Sequence, residues 1–238
     1  MEFCKKSFLG ELVGTFVLVF FGTGVVGTSI INPGWELYQI AMVWCLAVML
    51  GIFASNHLSN SHLNPAVSIA MLLAGNLPKN KLSSYLLGQF AGAFLASCVL
   101  YILLGNNLDS NNLKHARMFG EFYAEETGIW RAAFAEMFGT FLLVFMIFRL
   151  TTKENNHKAL TPFFIGLVVA AIICIIAPIT QAGLNPARDF APRLFSFIAG
   201  WGKDVFTTPD SLGWLLVYIV APILGGIGAV TLNKTLKN

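Results

Sequence analysis

A chain of 238 residues that is 56% hydrophobic and only 11% charged has too few charged groups to clothe a water-soluble globule, where about a quarter of residues are charged. Its mean hydropathy of +0.70 covers the whole length, so it reads as an integral membrane protein with almost no soluble part. A formal net charge of +3 from scattered residues, without any basic block, excludes a nucleic-acid-binding module.

Taken in order, Lys5 and Lys6 precede an apolar run too long for the core of a signal peptide, and it reads as a span. A spanning helix needs about 20 mostly apolar residues. Six segments qualify: 8–30, 37–56, 82–104, 130–150, 161–179 and 212–232. Two further apolar stretches, 65–75 and 186–199, are shorter. At about 1.5 Å per residue, a helix of about eleven residues covers roughly half the hydrocarbon core. The expected fold is therefore an all-α membrane protein with six transmembrane helices and two re-entrant half-helices. Cys4, Cys45, Cys98 and Cys174 show neither a disulfide framework nor metal-ligand spacing and read as small buried hydrophobes. No metal or cofactor is implied.

The chain repeats itself. Leu63-Asn64-Pro65-Ala66 returns as Leu184-Asn185-Pro186-Ala187, an offset of 121 (Asn64 to Asn185). Gly10-Glu11-Leu12-Val13-Gly14-Thr15-Phe16 is echoed by Ala135-Glu136-Met137-Phe138-Gly139-Thr140-Phe141, an offset of 125 (Glu11 to Glu136). Each half carries an odd number of spans, so the second sits upside down relative to the first, an inverted repeat. The chain is read as one channel domain: repeat one over 8–104, a polar, irregular linker over 105–129, and repeat two over 130–232. Lysine and arginine set the orientation. One side collects Lys5, Lys6, Lys79, Lys81, Arg149, Lys153, Lys158, Lys234 and Lys237, and the other Lys114, Arg117, Arg131 and Lys203. The excess places both termini in the cytoplasm.

Irregular backbone at membrane depth is tolerated only when buried in protein or lining a wet cavity. Asn is a favoured N-cap and Pro fits the first helical position, so Asn64-Pro65-Ala66 and Asn185-Pro186-Ala187 both read as helix starts. By inversion symmetry they meet near the midplane, where two positive helix ends oppose cations and the asparagine amides can donate to a neutral solute. Arg188, costly in a membrane unless solvated or paired, is expected to face the pathway. Asp189 and Arg193 lie four apart on the same helix, and either an ion pair or a pore role fits. Glu11 and Glu136, one per repeat, read as acceptors for backbone N–H groups of the re-entrant loops, with proton relay as the rival. His62 lines a vestibule or packs its loop. Gly88, Gly92, Gly225, Gly226 and Gly228 permit close helix packing.

The paired Asn-Pro-Ala motifs, the Glu-x-x-Gly-Thr-Phe of both halves and Arg188 resemble the aquaporin or major intrinsic protein family over essentially the whole chain. Asp189 after the arginine, Pro222-Ile223 in the last span and Ala199-Gly200-Trp201-Gly202 are similar to the glycerol-facilitator branch. The resemblance implies a homotetramer with one pore per subunit, and the small loops and short tails point to a plasma membrane. By position it also implies a constriction of Trp44, Ile173, Ala182 and Arg188. Facilitators usually carry Gly in place of Ile173 and Phe in place of Ala182, so the constriction reads as wide and half apolar. The expected function is passive passage of glycerol and related polyols with some water. A channel for water or another small neutral solute (peroxide, a carboxylic acid, a metalloid hydroxide) and a coupled secondary transporter remain alternatives. No nucleophile–base constellation marks an enzyme.

Overall fold

The computed structural model describes residues 3–152 and 155–237. Lys153, counted above for orientation, lies outside the described residues. Eight helices carry the architecture: α1 (Lys5–Ile31), α2 (Leu37–Ser55), α3 (Pro65–Leu73), α4 (Leu82–Leu104), α5 (Ile129–Leu150), α6 (Thr161–Thr180), α7 (Pro186–Ser196) and α8 (Gly213–Thr235). All but α3 and α7 are long and apolar enough to cross a membrane. The arrangement is the expected one of six spans and two half-helices in an inverted repeat.

The spans are apolar all round, as helices are when one side faces protein and the other lipid. What sorts their faces is side-chain size. Along α4 the small Gly88, Gly92, Ala93 and Ala96 are buried while Leu87 and Leu95 are exposed. Lipid supplies no hydrophobic drive between helices, so close backbone approach takes over. A Cβ on Gly92 would lie 2.2 Å from the Leu12 carbonyl oxygen of α1, and one on Gly225 of α8 would lie 2.0 Å from that of Met137 in α5. Only glycine fits at either point. Gly228 is different: its nearest neighbour would be 3.4 Å away, an ordinary contact. α1 packs on α4, α5 on α8, and α2 on α6 across the pseudo-two-fold. The half-helices exchange partners between repeats, α3 packing on α8 and α7 on α4.

Two expectations need correction. Only Cys45 of the four cysteines is buried, and Cys174 is exposed on the outer face of α6. The apolar exterior of a membrane protein accepts a thiol as readily as its core does. The linker is not simply a polar tether. After a one-turn helix at Leu113–Ala116 it descends into the protein, burying Met118, Phe119, Glu121, Phe122 and Tyr123. Phe119 packs against Phe195 and Trp201 at ring distances of 5.2 and 5.6 Å, burying aromatic surface from the linker. In α8 a wide turn at Leu216–Val220 precedes Pro222, whose missing N–H and bulky ring break the regular ladder.

Candidate functional site

The two half-helices begin at the asparagines. Asn64 Oδ1 accepts the Ala66 N–H at 2.8 Å, and Asn185 Oδ1 accepts those of Ala187 at 3.0 Å and Arg188 at 3.2 Å. Pro65 and Pro186 occupy the first helical positions, with Ala66 and Ala187 buried behind them. Capping fixes the other end of each amide. Asn64 Nδ2 donates to the Leu184 carbonyl at 2.9 Å, and Asn185 Nδ2 donates to the Leu63 carbonyl at 2.7 Å. Each half-helix start is thus tied to the loop of the opposite repeat. A primary amide has two N–H donors, so each asparagine keeps one more for the cavity it lines.

The loops leading into these starts are strained at matching places. Ser61 and Leu63 have φ of 50° and 55°, and their counterparts Ala182 and Leu184 have 60° and 54°. Left-handed backbone costs a non-glycine residue about 1–2 kcal/mol. The buried carboxylates hold it. Glu11 accepts the N–H groups of His62 at 3.0 Å and Leu63 at 2.7 Å, together with the Ser59 hydroxyl and the Gln89 amide, both at 2.7 Å. Glu136 accepts the N–H groups of Gly183 at 2.8 Å and Leu184 at 2.7 Å, and the Thr180 hydroxyl at 2.6 Å. Neither carboxylate lines the cavity among the described residues.

A single cavity of about 610 Å³ passes the asparagine pair, and Trp44, Ile173, Ala182 and Arg188 all line it. It reaches His62 and, at its far mouth, Lys237. His62 lines the cavity, while Nδ1 sits 3.2 Å from Ser68 Oγ and its ring packs 4.8 Å from that of Tyr85. Arg188 is held on three sides. One donor reaches the Phe119 carbonyl at 3.1 Å, a second pairs with the Glu121 carboxylate, and the guanidinium carbon lies 4.8 Å from the centre of the Trp44 ring. At that separation nothing fits between arginine and indole, so the two form one wall. Among the described residues these contacts use two of the five guanidinium N–H donors, and the side chain lines the cavity. Asp189 is turned away, bound to Arg193 at 2.8 and 3.0 Å and to the Glu121 N–H at 2.7 Å. Among the described residues no group of His, Cys, Asp and Glu is arranged to hold a metal.

Two residues at this site escape sequence reasoning. Glu121 was hidden in the linker, where its one signal is a lone carboxylate inside the apolar run Met118–Tyr123. Gly22 of α1 looks like one more small residue in a span, yet a Cβ there would lie 2.3 Å from Trp44 Cζ3. Its missing side chain is the space into which the indole leans. Gly22→Ala is expected to drive the ring into the cavity and lower solute flux about fivefold or more, read by vesicle swelling against equal protein. An unchanged flux would mean that the indole does not bound the constriction.

A family model described as major intrinsic protein matches residues 1–232 of the chain. The chain is 35% identical to the glycerol uptake facilitator protein of Pseudomonas aeruginosa, over 91% of this chain and 83% of that one. It is 32% identical to the propanediol uptake facilitator of Salmonella typhimurium, over 94% of this chain and 90% of that one. Its fold is similar to the X-ray structure of the aquaglyceroporin from Plasmodium falciparum, with a TM-score of 0.89, 29% sequence identity and coverage of 98% and 96% of the two chains.

Proposed function

Because the chain belongs to the major intrinsic protein family and is a passive channel for small uncharged solutes, we propose that its best substrates are three-carbon polyols, glycerol and propanediol among them, with water passing alongside. The observation that carries this reading is the composition of the constriction. Arg188 offers donors on a wall shared with Trp44, while Ile173 and Ala182 line the same cavity with hydrocarbon. A polyol presents hydroxyls along one edge and CH groups along the other, and it matches such a lumen better than water does. The solute leaves the arginine for the spare amide protons of Asn64 and Asn185. Weak serial contacts of this kind allow flux, where one tight site would stop it.

The relatives named for glycerol and propanediol uptake support the same solute class. The excess of lysine and arginine on one side supports a plasma-membrane protein with both termini in the cytoplasm, α3 entering from inside and α7 from outside. The resemblance to the family supports a homotetramer with a pore in each subunit.

Swelling of proteoliposomes tests the reading. Flux of glycerol and propanediol is expected to be fast, non-saturating and indifferent to ionophores. Water flux with both polyols excluded would overturn it, and so would transport that stops when a proton or sodium gradient is collapsed. Within the constriction, Ala182→Phe is expected to restore an aromatic wall, lowering flux of five-carbon polyols about tenfold while water falls by no more than about threefold. Equal losses for both would place Ala182 away from the narrow part.

A further inference from the structure

We propose that Glu121 excludes small anions from the pathway by acting as the fixed counter-charge of Arg188; this rests on reading the cavity as a channel for uncharged solutes. The fixed electrostatic features along the lumen share one sign. Arg188 stands at the constriction, the N-terminal ends of α3 and α7 face the midplane, and Lys237 lies at the far mouth. No Asp or Glu lines the cavity among the described residues. Helix N-termini carry about half a positive charge each and favour anions. The devices that repel cations would by themselves draw anions in, so anion exclusion needs a residue of its own.

Glu121 has the position for it. Its carboxylate pairs with the Arg188 guanidinium, and the two side chains are buried together at 2% and 3% exposure. Asp189 cannot do this work, because Arg193 and the Glu121 N–H occupy both of its oxygens. Around the arginine the buried groups therefore divide into two ion pairs, Glu121 with Arg188 and Asp189 with Arg193. Glu121 also differs from the other buried glutamates. Glu11 and Glu136 each gather backbone N–H groups, whereas Glu121 Oε2 accepts nothing from the protein among the described residues. Its carboxylate serves the arginine. The Phe119 carbonyl orients the same guanidinium but brings no charge.

The experiment compares wild type, Glu121→Gln and the double variant Glu121→Gln/Arg188→Gln, each purified and reconstituted. Chloride and nitrate conductance is measured in planar bilayers, and glycerol flux in vesicles. Glu121→Gln keeps an oxygen that accepts from Arg188 but removes the counter-charge. Its anion conductance is expected to rise at least about tenfold over wild type. The double variant, neutral again, is expected to return to the wild-type anion leak. Glu121→Gln that carries glycerol without added anion conductance overturns the proposal. So does a double variant that leaks anions as Glu121→Gln was expected to, a result that stands even if the single variant fails to fold. Absence of glycerol flux in wild type would count against the channel reading instead, whatever the anions do.

Discussion

Replacing Arg188 with valine is expected to convert the pore into a cation leak. The arginine shields a buried carboxylate, since Glu121 lies directly behind it at 2% exposure and has no other cation to pair with among the described residues. Valine removes the shield and opens space toward the lumen, so the wall changes from a neutral pair to a net negative one. Potassium and sodium conductance in planar bilayers should rise about tenfold or more, because a unit charge in low dielectric is poorly screened. Stability should fall as well, by roughly 3–5 kcal/mol, as when one partner of a buried pair is removed. Adding Glu121→Ala to Arg188→Val should restore a tight barrier. A single variant with wild-type ion leak would show that the carboxylate is not felt in the pore.

The second large effect is expected at Glu136. Its carboxylate gathers the Gly183 and Leu184 N–H groups and the Thr180 hydroxyl at the point where Ala182 and Leu184 are left-handed. Glu136→Ala leaves those donors buried without an acceptor, at about 1–3 kcal/mol each, and releases the strained loop. The unfolding midpoint in detergent should drop by roughly 10 °C. Flux should be lost with it, because Leu184 is the residue whose carbonyl receives Asn64. Glu136→Gln, which keeps one acceptor, should fall between the two. Glu11→Ala should behave in the same way through His62 and Leu63. If Glu136→Ala melted and conducted as wild type does, the loops would have to be held by something other than these carboxylates.

Much of the fold was legible because a bilayer imposes length. Apolar runs of full and half length along the chain correspond to α1 through α8, with ends shifted by a few residues. Repetition was legible too, since Leu-Asn-Pro-Ala occurs twice. Its consequence in the backbone, the shared left-handed angles at Ser61 and Ala182 and at Leu63 and Leu184, appears only in three dimensions. The linker was misjudged because polarity averaged over 105–129 hides the short apolar run that carries Glu121 into the protein.

Membrane class, the number of spans and the inverted repeat are written in the chain itself, because hydrophobic length and repeated motifs are local properties. Tertiary structure alone decided the partnerships: Asn64 with Leu184, Asn185 with Leu63, Trp44 with Gly22 and Arg188 with Glu121. Those contacts join residues far apart in the chain, and no periodicity announces them. They follow from a buried polar or charged group having to find its complement wherever the packed helices bring one within reach.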